Sequence, residues 1–159
     1  MGTHGLFGFF YKKKYYVVYN HWDSYPGGLG VNIVNELKRA IDKGFLGQWI
    51  DLLEKMVLVD EHIPPTQEQI EKLKHYANLS VSRRTYTDWY CLLHGCQGSI
   101  DSVLTAGHII NYVDDHGTPQ WEEYAYIVNL DTQKLDFFDG DNLVRSYEFD
   151  QLPQWDKNS

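Results

Sequence analysis

The chain has 159 residues, of which 43% are hydrophobic and 23% are charged, and its net charge is -8 at pH 7. A chain of this size can bury a core of its own, so we expect a single globular domain over residues 1–159, with residues 153–159 as a frayed tail. The negative charge argues against nucleic acid as a partner. No apolar run approaches the length of a membrane span, so we expect no membrane partner either.

Two cysteines, Cys91 and Cys96, enclose only a small loop, which favours a reduced, cytoplasmic protein. His94 lies between them, but a structural zinc site needs a tighter Cys pair and a matching distant pair. Buried cysteines on a helix face are the more ordinary explanation. We therefore predict no metal and no other cofactor.

The first predicted elements are two aromatic-rich strands, residues 5–11 and 15–20, which Lys12, Lys13 and Lys14 join as a β-hairpin. Pro26 and Gly27 suit a tight turn. Apolar residues then recur with helical spacing over residues 29–41, and Gly44 is placed to end that helix. A second apolar stripe over residues 45–56 predicts another helix.

The middle and end of the chain differ in period. Thr66 and Gln69 predict a capping box for a third helix, and short helical segments follow near residues 85–93 and 99–106. Residues 124–130, 135–138 and 143–149 then read as strands separated by turns. Burying both apolar sets predicts an α+β fold, in which an antiparallel sheet of the N-terminal hairpin and the C-terminal strands carries the helices on one face.

The densest chemistry lies between the hairpin and the first helix, at residues 19–30. His21 and Asp23 have the i, i+2 spacing that places two side chains on one face of a strand, where the carboxylate could orient the imidazole as a general base. Ser24 or Tyr25 could then serve as a nucleophile or a substrate contact. The competing interpretation is structural, with Asp23 or Ser24 capping a turn and His21 bonded to the backbone.

Seven further residues are predicted to bind a ligand in this region. Aromatic rings would contact it, Gly27 and Gly28 could bring backbone amides close to an anion, and an arginine and a glutamine could converge from the helical layer. A tight strand-to-helix turn is the plainer explanation of the glycines. The predicted ligand-binding residues are Tyr19, Trp22, Tyr25, Gly27, Gly28, Arg84 and Gln97.

Two motifs carry a resemblance to a known family: residues 1–9 (MGTHGLFGF) and residues 19–26 (YNHWDSYP). With residues 88–93, 97–98 and 123–131, they resemble a family of uncharacterised proteins found in large DNA viruses of amoebae and in some phages, bacteria and fungi. The family often has Arg where this chain has His4. It has no assigned activity, so the resemblance implies a viral setting, in the host cytoplasm or the virion, and no mechanism.

Two functions remain open from the sequence. The acidic surface, the 15% aromatic content and the absence of a hydrolase signature favour a non-catalytic module that binds a protein partner or self-associates. The alternative is a hydrolase or transferase that acts on a small polar substrate with His21 and Asp23. The first predicts an exposed apolar patch, and the second predicts a pocket that contains both residues.

Overall fold

The structure of the protein is a computed structural model that describes residues 2–159. The predicted hairpin is present as β1 (Gly5–Tyr11) and β2 (Lys14–Asn20). Its turn residues Lys12 and Lys13 have φ angles of 49° and 63°. The Asp131 carboxylate accepts both of their backbone N–H groups, at 2.8 and 2.9 Å, which fixes this tight turn.

Five α-helices occupy the middle of the chain: α1 (Val31–Lys43), α2 (Leu46–Glu54), α3 (Gln67–Leu73), α4 (Trp89–Leu92) and α5 (Ile100–Ala106). The local signals in the sequence set their ends. Gly44 ends α1 with a φ of 74°, and Gly107 ends α5 with a φ of 66°. Thr66 and Gln69 form the predicted capping box of α3.

The remaining strands are β3 (Val57–Leu58), β4 (His108–Ile109), β5 (Tyr124–Asn129), β6 (Lys134–Asp139) and β7 (Asn142–Glu148). The main sheet has the order β2-β1-β5-β6-β7, and β3 pairs with β4 in a separate two-stranded sheet. The predicted α+β class, with the two ends of the chain sharing one sheet, is confirmed.

One strand pairing differs from the expected antiparallel pattern, because β1 and β5 run parallel at the centre of the sheet. The other three pairings of this sheet are antiparallel. A parallel pair needs a long crossover connection, and the helical middle of the chain supplies it. The helices therefore lie between the two central strands in sequence.

The two faces of the sheet are covered differently. Phe7 and Phe9 of β1 pack with the helices in the main core, as expected. On the opposite face, buried Leu6 packs with partly buried Tyr112 and Trp121, so the segment that leads into β5 covers this side. The strands β1 and β5 are consequently buried on both faces.

The segment predicted to fray contains an anchored indole. The Trp155 ring lies 5.0 Å from the Phe137 ring and 5.6 Å from the Tyr126 ring between centroids. At Gly30 a Cβ atom would come within 2.9 Å of the Trp155 ring. The glycine therefore lets the end of the chain close over the start of α1.

No helix in residues 2–159 has both the length and the apolar character that a membrane crossing requires.

Candidate functional site

The candidate site lies at the end of the sheet where β2 stops and β1 starts. The His21 imidazole stacks on the His4 imidazole, with 4.7 Å between centroids and 20° between planes. Trp22 meets His21 edge-on, also at 4.7 Å. The structure thus brings two imidazoles and an indole together, and His4 is a member that the sequence analysis did not select.

Tyr19 and Gln97, which the sequence predicts as ligand-binding residues, hold His21 in position. The Tyr19 hydroxyl lies 2.8 Å from His21 Nδ1, and Gln97 Oε1 accepts the His21 backbone N–H at 2.8 Å. Among residues 2–159 the Tyr19 hydroxyl has no other hydrogen-bond partner. Burial, reinforced by nearby phenols and carboxylates, raises the pKa of Tyr19 to about 12, so the phenol stays protonated.

The contact with Tyr19 occupies one nitrogen of the His21 ring. The Tyr19 hydroxyl can donate to Nδ1 or accept from it, depending on the tautomer of His21. Among residues 2–159 Nε2 forms no hydrogen bond, so it is the nitrogen of His21 that can meet a ligand.

The expected Asp23–His21 contact is not formed. Strand β2 ends at Asn20, and Asp23 has a φ of 50°, so the same-face rule for alternating strand residues no longer applies. Among residues 2–159 no hydrogen bond or ion pair joins the two side chains. The Asp23 carbonyl instead accepts the N–H of Leu29 at 2.8 Å, which is a structural role in the turn.

Ser24 is fully buried and belongs to a local hydrogen-bond network. Its Oγ accepts from Asn20 Nδ2 at 2.9 Å and donates to the Asn20 carbonyl at 3.3 Å. The Tyr126 hydroxyl donates to the Ser24 carbonyl at 2.8 Å. A hydroxyl with these partners and no solvent access ties the turn to the sheet.

Gly27 and Gly28 lie in a π-helical turn that spans Pro26–Gly30 and leads directly into α1. The Gly28 N–H donates to the Tyr25 carbonyl at 2.9 Å. A Cβ on Gly27 would come within 2.5 Å of the Asp156 carbonyl oxygen. The glycines thus allow close backbone packing, and the amide of Gly28 is used within the turn itself.

Beside His21 a groove of about 440 Å³ opens to the surface, and we call it the Trp22 groove. Trp22 is 59% exposed at its edge. Arg84, predicted to converge here, is exposed and lies outside the groove, while Val81 and Ser82 of the same loop reach it. The lining residues are His21, Trp22, Val81, Ser82, Tyr90 and His94.

Tyr90 and His94, which the sequence analysis did not select as ligand-binding residues, form the inner side of the groove. Their rings meet edge-on at 5.6 Å. Burial lowers the pKa of His94, and the nearby His21 lowers it further. Their i, i+4 spacing was the available signal, since such residues share one side of a helical turn.

Behind Tyr90 lies a second, mostly apolar space of about 70 Å³, which we call the tyrosine cavity. Burial raises the pKa of Cys96 to about 12, so its thiol is neutral. Its lining residues are Val18, Tyr19, Glu61, Tyr90, Leu93, Cys96, Gln97, Val103, His108, Ile109, Ile110 and Tyr112. Tyr90 thus borders both the cavity and the Trp22 groove.

The two cysteines are free and buried. The Cys91 thiol donates to the Asn78 carbonyl at 2.9 Å, a packing role. Across residues 2–159 no three His, Cys, Asp or Glu side chains converge as metal ligands would.

Comparison of the chain with protein-family models, with curated proteins and with solved structures gives no significant match.

Proposed function

We propose that the protein is a non-catalytic interaction module that binds a protein partner, or a second copy of itself, through the Trp22 groove. The observation that carries the proposal is the 59% exposure of Trp22 beside a concave surface with room for a side chain. Tryptophan is among the residues that most often dominate the binding energy of an interface. An exposed indole beside a groove is the arrangement such an anchor needs.

The size of the effect follows from the exposed area. About 150 Å² of the indole remains accessible if a large aromatic side chain presents up to roughly 250 Å². Burying that area contributes about 3–4 kcal/mol. Val81 and Tyr90 offer further apolar contact in the groove, and the His21 imidazole offers a polar group for specificity.

The alternative proposal, a hydrolase or transferase acting on a small polar substrate, has one supporting observation: His21 lines a groove that opens to the surface. In that case His21 would act without Asp23, and Tyr19 would orient its ring. The burial of Ser24 and the lack of a hydrogen bond or ion pair between the His21 and Asp23 side chains among residues 2–159 favour the interaction module.

A viral setting stays a prediction. If the resemblance of residues 1–9 and 19–26 holds, the partner would be a protein of the host cytoplasm or of the virion.

Peptide display on the wild-type protein tests the proposal. We expect selected peptides to bind Trp22→Ala at least tenfold more weakly, because the indole supplies a large part of the buried area. Leu143→Ala is the matched control, since Leu143 is also an exposed apolar residue, at 53%, and lies on the edge strand β7. Sedimentation of the wild type and the same two variants over a range of concentrations tests self-association.

If the selected peptides bind Trp22→Ala and Leu143→Ala equally well, the proposal is contradicted. His21→Gln separates the two functions. For an interaction module it should weaken peptide binding while a panel of ester and phosphate substrates stays unhydrolysed by the wild type. Turnover by the wild type that His21→Gln abolishes and Trp22→Ala spares would favour the enzyme.

A further inference from the structure

We infer that the tyrosine cavity binds a methylated ammonium group, either a free quaternary amine or the side chain of a methylated lysine. Three phenol rings, Tyr19, Tyr90 and Tyr112, line one cavity together with the carboxylate of Glu61. Aromatic rings combined with negative charge are the chemistry that recognises such cations. This inference goes beyond the Trp22 groove and does not require that a protein bind there.

The three rings are close enough to act on one ligand. The Tyr19 centroid lies 5.3 Å from that of Tyr112 and 6.5 Å from that of Tyr90. The planes are inclined at 37° and 45° respectively, so Tyr19 packs at an angle against each of the other two rings. A cation within about 6 Å of several ring centroids is attracted by each of them.

Carboxylates give the same region a negative field. Glu61 is exposed and lines the cavity, while Glu122 accepts a hydrogen bond from the Tyr112 hydroxyl at 3.3 Å. The same carboxylates act on the phenol of Tyr112. Burial raises the pKa of Tyr112 most, and the charges of Glu122 and Glu61 raise it further. The Glu122 carboxylate also lies 3.9 Å from the His4 imidazole, whereas among residues 2–159 Glu61 forms no ion pair and can attract a cation.

The inner end of the cavity suits methyl groups. Leu93, Val103 and Ile109 are buried apolar residues of its lining, and a methylated ammonium, unlike a primary one, can leave water at little cost in hydrogen bonds. Glu61 is the exposed residue of the lining, so the chain of the ligand would leave past Glu61 while its methylated head group packs against these apolar residues.

The volume limits the ligand further. The cavity measures about 70 Å³, roughly half of the 150 Å³ that encloses a benzene ring. Such a space suits a compact group with fewer heavy atoms than the six of a benzene ring. The net charge of -8 favours the approach of any cation.

The test is an NMR titration with choline and with 3,3-dimethyl-1-butanol, the uncharged carbon isostere of choline. We expect choline to bind with a dissociation constant of about 10 mM or tighter, to shift the ring protons of Tyr19, Tyr90 and Tyr112, and to bind at least tenfold more tightly than the isostere. Equal affinities would overturn the inference, since the site would then recognise apolar shape alone. Absence of choline binding would also overturn it, unless trimethyllysine binds.

A second pair of probes distinguishes the two sources of the cation. N-acetyl-trimethyllysine amide is compared with N-acetyl-lysine amide and with choline. Tighter binding of trimethyllysine than of choline would assign the site to a protein side chain, and the reverse would assign it to a free amine; both support the inference. Equal binding of methylated and unmethylated lysine would overturn it.

Variants locate the site. Glu61→Gln removes an exposed charge and should weaken choline binding about threefold or more at low salt, whereas Glu68→Gln, an exposed glutamate on α3, should leave it unchanged. Tyr90→Phe keeps the aromatic ring and should bind choline with unchanged affinity, while Tyr90→Leu should bind choline at least tenfold more weakly. Choline binding that survives both Glu61→Gln and Tyr90→Leu would refute this location. Choline binding without any peptide binding would support this site and leave the proposed function unsupported.

Discussion

Replacing Ser24 with Ala separates a structural hydroxyl from a catalytic one. Ser24 is fully buried, and its Oγ accepts one of the two Asn20 side-chain N–H bonds at 2.9 Å. The other N–H donates to the Trp22 carbonyl at 2.7 Å. Alanine would leave one donor of Asn20, itself only 7% exposed, without a partner. An unsatisfied buried donor costs about 1–3 kcal/mol, so we expect a loss of about 2 kcal/mol in the free energy of unfolding.

Urea unfolding followed by tryptophan fluorescence measures this loss. With a slope of about 2 kcal/mol per molar urea, the midpoint should fall by about 1 M while the slope stays the same. Ser102→Ala is the control, because Ser102 is a half-buried serine in α5 and should change the stability by less than about 0.5 kcal/mol. Wild-type stability in Ser24→Ala, accompanied by loss of binding or turnover, would refute the structural assignment.

Three further predictions concern the hairpin turn, the end of the chain and pH. Asp131→Ala removes the acceptor for the backbone N–H groups of Lys12 and Lys13 and should lower the free energy of unfolding by about 1–2 kcal/mol. An unchanged urea midpoint would show that these hydrogen bonds do not stabilise the turn. Trp155→Ala should lower the free energy of unfolding by about 2–3 kcal/mol because the half-buried indole packs against the core. Deletion of residues 156–159 should lower it far less, and equal losses would show that Trp155 does not anchor the end of the chain. Burial lowers the pKa of His94 in the folded protein, so protonation favours the unfolded state and stability should fall as pH drops below about 6.5. His94→Gln should lose less stability between pH 7.5 and 5.5 than the wild type, and identical losses would show that other groups cause the decrease.

Local signals in the sequence were enough to predict most elements. The helix ends at Gly44 and Gly107 and the capping box at Thr66 follow from conformational preferences within a few residues. The parallel pairing of β1 with β5 is different, because it joins residues such as Gly5 and Tyr124 whose neighbourhood depends on the entire fold. The apolar pattern of a strand does not indicate whether that strand pairs parallel or antiparallel with its neighbour.

Only part of the candidate site was predictable, because several of its contacts also depend on the entire fold. Tyr19 and Gln97 were predicted to bind a ligand, and both contact His21. The pairing of His21 with Asp23 assumed an extended backbone, which ends three residues earlier, at Asn20. The rings and the carboxylate of the tyrosine cavity come from distant segments of the chain. Their convergence is a property of tertiary packing, so spacing along the sequence could not reveal it.

The interior position of β1, between β2 and β5 in the sheet, has a consequence for biosynthesis. Tyr124 follows Gly5 by 119 residues, so at about 5–20 residues per second the ribosome needs roughly 6–24 s to deliver the second neighbour of β1. Until then the nascent hairpin has an apolar edge with unpaired backbone groups, which invites association with other chains. Chaperone capture of ribosome-bound chains should therefore decline sharply once β5 has emerged.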